Sequence, residues 1–157
     1  MTSLAFNLLL ALAWLMLTGN FTPANFVLGI VLGYLLLWIG QPITGPSPYF
    51  KKVRTVFSFG LFVLWELLRS NARVAFEVIT LRPRMRPGVV AIPLDARTDM
   101  EITLLANLIT LTPGSLSLDV STDRRVLYVH AMYIGDVDQF RRSIKETFER
   151  RVLELLR

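Results

Sequence analysis

No cysteine occurs in this chain, and no Asp, Glu, Lys or Arg occurs between Met1 and Phe50. The first absence excludes disulfides, thiolate nucleophiles and Cys-ligated zinc or iron–sulfur centres. The second removes the first third of the chain from water, because a run of uncharged residues rich in Leu, Ile, Val, Phe and Trp suits hydrocarbon instead. Histidine occurs once, as His130 inside a strand-like stretch with no nucleophile pattern nearby, and reads as a packed or edge imidazole rather than a general base. Gly-rich phosphate loops, serine elbows and metal-ligand spacings are missing, as are internal repeats and low-complexity tracts. These absences argue against an enzyme, and no catalytic, cofactor-binding or metal-binding residues are expected.

What is present is apolar residues, at 53% of the sequence with a mean hydropathy of +0.49, and a formal net charge of +5 confined to Lys51–Arg157. Two apolar runs, Leu4–Thr18 and Ala24–Ile39, flank Gly19-Asn20-Phe21-Thr22-Pro23. Leu4–Leu17 has the length of a signal h-region, but no basic residue precedes it and no small-residue cleavage pair follows, so it reads as an anchor. A helix of about 17 residues rises roughly 25 Å against a hydrocarbon core of about 30 Å, close to the lower limit for spanning. The expectation is a tight antiparallel transmembrane hairpin over residues 1–48. Trp14 and Trp38 stand near its interfaces, Gly29-x-x-x-Gly33 offers a packing face, and Asn7 and Asn25 bond a neighbouring helix.

Pro42, Gly45, Pro46 and Pro48 form a breaker-rich connector, and a helical pattern follows from about Tyr49 to Thr80. Its polar residues, Arg54, Ser58, Glu66, Arg69, Arg73 and Glu77 among them, form a 3.6-residue stripe, and the spacing predicts Glu66–Arg69 and Arg73–Glu77 ion pairs. Residues 49–86 thus form a long amphipathic helix and a basic hinge, interfacial, partly membrane-inserted, or a third span. Lys51, Lys52 and Arg54 at one end, and Arg82, Arg84 and Arg86 at the other, form a basic cluster that faces lipid, with anionic headgroups as partner. Aromatic stacking partners on a sheet face are few (Tyr128 and Tyr133), so nucleic acid is not expected to bind. Glu66, an ionisable group at membrane depth, is the one candidate functional acid.

After the hinge the pattern turns to that of a small α+β domain over residues 87–157. Gly88–Leu94 is a β-branched run. Thr98-Asp99-Met100-Glu101 is a capping box opening a helix that stops at Thr112-Pro113-Gly114. Leu116, Leu118 and Val120 alternate with Ser115, Ser117 and Asp119, as in a half-buried strand, and Thr122–Arg125 turns into a second strand over Val126–Ile134. Asp136 opens a final helix whose apolar face includes Phe140, Ile144, Phe148 and Val152. The expected order is β-α-β-β-α, with the helices on one face of the sheet.

The stretch Asn107-Leu108-Ile109-Thr110-Leu111-Thr112-Pro113-Gly114-Ser115-Leu116-Ser117-Leu118-Asp119-Val120 resembles the signature segment of the E subunit of the Mrp-type (Mnh or Pha) multisubunit monovalent cation/proton antiporters. Asn25-Phe26-Val27-Leu28-Gly29, the basic entry at Lys51–Arg54, the Arg82–Pro87 segment and Tyr128-Val129-His130 are similar to that family too. The resemblance implies an accessory component of a multisubunit Na⁺/H⁺ antiporter in the cell membrane, with a cytoplasmic C-terminal domain. It also implies other antiporter subunits as partners, both large multispanning ones related to those of respiratory complex I and small ones. Thr112, Pro113, Gly114 and Asp119 mark its signature turn and strand. A membrane-tethered domain that senses a ligand and regulates transport is the alternative.

Overall fold

The computed structural model describes residues 2–45, 47–80 and 86–157, and divides between Arg54 and Thr55 into two compact units. In the first unit, α1 (Thr2–Thr18) and α2 (Pro23–Ile39) form the antiparallel hairpin. Thr22 caps α2 by accepting from the Asn25 backbone N–H, and Pro23 fits the first turn because the N–H it lacks would have no intrahelical partner. The seam is built from small residues. A Cβ on Gly29 would meet the Ala11 backbone at 3.1 Å, and one on Gly33 would collide with the Asn7 amide oxygen. Trp14 donates through Nε1 to Asn25 Oδ1 at 2.9 Å, and Asn7 Nδ2 reaches the Tyr49 hydroxyl at 2.6 Å, so both asparagines tie elements of this unit together. Tyr34 and Phe50 pack edge to face at 5.3 Å.

The expected membrane anchor of two spans, with a long third helix as a further candidate, is overturned: among the described residues no helix is both long and apolar enough to cross a membrane. α1 and α2 have 17 residues each, and at about 1.5 Å per residue both fall short of a core of about 30 Å. The short helix α3 (Gln41–Thr44) follows, and then α4 (Pro48–Thr80), which has 33 residues but carries Lys51, Lys52, Arg54, Glu66, Arg69, Arg73 and Glu77 along its length. What the hairpin has instead is outward apolar surface, with Leu9, Met16, Leu17 and Phe21 all exposed.

The second unit holds the α+β domain together with most of α4. Its strands β1 (Gly88–Pro93), β2 (Ser115–Val120) and β3 (Val126–Ala131) form an antiparallel sheet in the order β1-β3-β2. Helix α5 (Asp99–Leu111) lies between β1 and β2 in sequence, and the expected capping box is formed, Thr98 and Glu101 each serving the other's backbone N–H. The final helix runs as α6 (Val137–Ser143), a π-helical segment (Ile144–Glu149) and α7 (Arg150–Leu156). One core unites Val90 and Ile92 of β1, Leu127 and Val129 of β3, Leu105 and Ile109 of α5, and Ile144, Phe148 and Val152 of the final helix. Phe59, Phe62 and Val63 of α4 pack against it, with Phe62 edge-on to Phe148 at 5.8 Å and the Arg151 guanidinium 4.4 Å over its ring.

β2 takes the opposite phase to the one its hydropathy suggests. Leu116 and Leu118 point away from the core and are exposed, whereas Ser115 and Ser117 turn toward α5. Their hydroxyls donate to the Ile109 and Ala106 carbonyls at 2.7 and 3.0 Å, which satisfies the inward polar groups. A bulge between Ser117 and Asp119 then shifts the phase, so that Val120 opposite Leu127 turns back toward the core.

Candidate functional site

Four segments of the second unit line an open cavity of about 190 Å³. Helix α4 contributes Glu66, Arg69, Ser70 and Arg73 on successive turns of its polar stripe, as residues three and four apart must when they share one face. Thr112, Pro113, Gly114 and Ser115 form its floor, where α5 ends and β2 begins. Gly114 sits at φ +93°, in the left-handed region, and a Cβ there would stand 2.9 Å from the Tyr133 ring. Glycine is therefore required twice over, by backbone angle and by space. Ala131 and Tyr133 close one side, and Phe140, Ser143, Ile144 and Phe148 the other. Part of that wall is the π-helical segment, a distortion found often at functional sites.

The polar groups around the cavity are unevenly satisfied. Ser70 donates to the Glu66 carbonyl at 2.7 Å and Thr112 to the Leu108 carbonyl at 2.9 Å, so these hydroxyl protons are already used. The expected Glu66–Arg69 and Arg73–Glu77 ion pairs are not formed: among the described residues no salt bridge includes any of the four. The Glu77 carboxylate beside the Tyr133 hydroxyl, aided by burial, holds the phenol above its ordinary pKa of 10 against the opposing pull of Arg73.

Of the residues singled out in the sequence, Glu66, Thr112, Pro113 and Gly114 come together around this cavity. Asp119 does not; it is exposed at the bulge and accepts from the Val120 N–H at 2.7 Å, organising local backbone. Lys51, Lys52 and Arg54 lie in the first turns of α4, within the first unit, and Arg86 in the second, where it bridges to Tyr133 by way of Ile134 N–H donating to the Arg86 carbonyl. Arg82 and Arg84 lie outside the described residues. His130 is half-buried on the sheet's outer face, opposite Val89 and Leu116.

Sequence reasoning missed one buried carboxylate, Glu149, and the second role of another, Glu101. Glu149 accepts from the Asp95 and Ala96 N–H groups at 2.6 and 2.9 Å. Glu101, beyond its capping role, accepts from Arg157 Nε at 2.9 Å, and with the Arg97 and Thr98 N–H groups this holds its carboxyl down to about 2. The capping box signalled Glu101; nothing in the local sequence signalled Glu149.

Comparison with known proteins places the chain. A family model described as a Na⁺/H⁺ ion antiporter subunit, MNHE, matches residues 7–155. The Na⁺/H⁺ antiporter E subunit of Bacillus subtilis is 35% identical over 151 residues, 96% of this chain and 96% of that protein. Its counterpart in Alkalihalophilus pseudofirmus, also a Na⁺/H⁺ antiporter E subunit, is 33% identical over 149 residues, 95% of this chain and 94% of that protein. Among solved structures, a chain of the Mrp complex from Dietzia sp. is similar with a TM-score of 0.52 at 30% identity, over 65% of this chain and 96% of that one. A chain of an archaeal membrane-bound sulfane sulfur reductase shares the fold, with a TM-score of 0.58 at 23% identity over 98% of both. With an uncharged hairpin, a long striped helix and a small α+β domain carrying the Thr112–Gly114 turn, matched over nearly its whole length, the protein belongs to the family of Na⁺/H⁺ antiporter E subunits.

Proposed function

We propose that the chain is an accessory subunit that holds a Na⁺/H⁺ antiporter complex together by packing its uncovered apolar surfaces against other subunits, without lining an ion path alone. The observation that carries this reading is the amount of apolar surface left bare on well-formed elements. The outer sheet face presents Val89, Leu116, Leu118 and Tyr128, and α4 presents Phe57, Trp65, Phe76 and Ile79. α1 and α2 are apolar all round, a pattern that belongs inside a larger apolar body. Patches of this kind mark interaction surfaces. The basic clusters at Lys51–Arg54 and Arg82–Arg86 support placing the C-terminal unit on the cytoplasmic side, where anionic headgroups attract Lys and Arg. Lys51, Lys52, Arg54, Arg82, Arg84 and Arg86 are then the residues set against lipid.

The test is affinity purification of this protein from its native host in mild detergent, followed by mass spectrometry. Wild type brings several multispanning subunits in fixed ratio, and Leu116→Glu with Leu118→Glu lowers that recovery about tenfold, as expected for losing a central apolar contact. Full recovery with the double variant removes the sheet face from the interface. One observation, the cavity beside Glu66, favours the ligand-sensing reading for the same unit, with regulation added to assembly rather than replacing it.

A further inference from the structure

We propose that the cavity between α4 and the Thr112–Ser115 turn binds a singly charged oxyanion joined to a short apolar group. The anion lies between Arg69 and Arg73, and the apolar part rests on Phe140, Ile144 and Phe148. This deepens the ligand-sensing reading and rests on it.

The charge of the site selects the ligand. Arg69 and Arg73 stand one turn apart on α4, and among the described residues neither donates a hydrogen bond or joins a salt bridge. Elsewhere in the same unit Arg141, Arg150 and Arg157 each pair with a carboxylate. Guanidinium is the group that grips carboxylate and phosphate with paired N–H donors. Glu66 also lines the cavity, so its side chains carry one positive charge in excess. Glu77 acts on Tyr133, which lines the cavity. A dianion would carry one charge more than the lining balances; a carboxylate or a phosphodiester matches it.

The walls select the rest. The Ser70, Thr112 and Ser115 hydroxyl protons are committed to backbone carbonyls, so the remaining wall of Phe140, Ile144 and Phe148 gives hydrocarbon a place and few competing donors. At about 190 Å³ the cavity is smaller than the roughly 300 Å³ from which drug-sized pockets begin, so it takes a head and a short stem, not a whole lipid. A phospholipid with one negative charge and a free short-chain carboxylic acid share this chemistry.

The experiment is native mass spectrometry of the purified full chain with three probes: hexanoate, dihexanoylphosphatidylglycerol and inorganic phosphate. The expected result is one molecule of hexanoate or of the phospholipid bound per chain. Arg69→Ala with Arg73→Ala should weaken binding about tenfold, the scale of losing charge-assisted hydrogen bonds. Preference for the phospholipid assigns a membrane source, and preference for hexanoate a soluble one. Ser143→Phe, which fills the cavity without touching its charge, should weaken binding as well. Binding that survives both variants is partition onto apolar surface and overturns the proposal. So does phosphate binding as tightly as either amphiphile, or the absence of binding by hexanoate and the phospholipid. A chain that still recovers its partner subunits yet binds neither probe sinks the ligand and leaves the assembly role standing.

Discussion

Glu101 carries a helix cap and a tie to the end of the chain on one carboxylate, and its depressed pKa makes both sensitive to acid. A folded-state pKa near 2, against an ordinary 4.5, means a contribution fully present above pH 4.5 and lost as pH falls toward 2. Thermal melts of wild type and Glu101→Gln should therefore diverge above pH 4.5 and converge on acidification; parallel curves would show that the carboxylate does not carry this linkage. Tyr133 has the opposite sign. Its phenol is held above 10 by Glu77, so its contribution is present below pH 10 and fades as pH climbs through the raised value. Tyr133→Phe should lower stability at pH 8 and remove the excess loss seen above pH 10. These residues were unequally legible in the sequence: a capping box is written within four positions, whereas Glu77 and Tyr133 are groups that only the fold brings together.

Among the elements, the hairpin and the edge strand show where hydropathy informs and where it misleads. Gly29 and Gly33 were readable as a packing face because helix geometry alone puts positions four apart on one side, and the Ala11 and Asn7 contacts lie along that side. Gly33→Leu should push Asn7 off its bond to Tyr49 and destabilise the hairpin by about 1–3 kcal/mol, the usual cost of overpacking. Fluorescence of Trp14, which packs beside Gly29, would follow this in a chain with Trp38→Phe and Trp65→Phe; an unchanged denaturation midpoint would count against the close approach. In β2 the alternation correctly announced a strand and put Val120 on the core, yet the face was inverted at Leu116 and Leu118, because Ser115 and Ser117 find carbonyl acceptors on α5 that no local pattern reveals. The length of α1 and α2 was legible too, and at 17 residues it is length that denies them a span. The π-helical segment left no mark in the sequence at all.

At the level of the whole molecule, the core lies within the unit that begins at Thr55, where β1, β3, α5 and the final helix share one set of buried side chains with α4. A fragment spanning Thr55–Arg157 should consequently unfold in one cooperative transition, read by circular dichroism. Val152→Ala, at a fully buried position, should lower its stability by about 1–3 kcal/mol. A broad, non-cooperative melt of the fragment would mean that the domain depends on the hairpin. The outward phase of Leu116 and Leu118 reaches further, into the life of the cell. A strand that turns its leucines out and its serines in is ill suited to solitude, so a copy made in excess of its partners has no resting place. Its steady-state amount should follow theirs, with surplus chains cleared by proteolysis, and the stoichiometry of the complex would then be enforced partly by the destruction of whatever fails to join it.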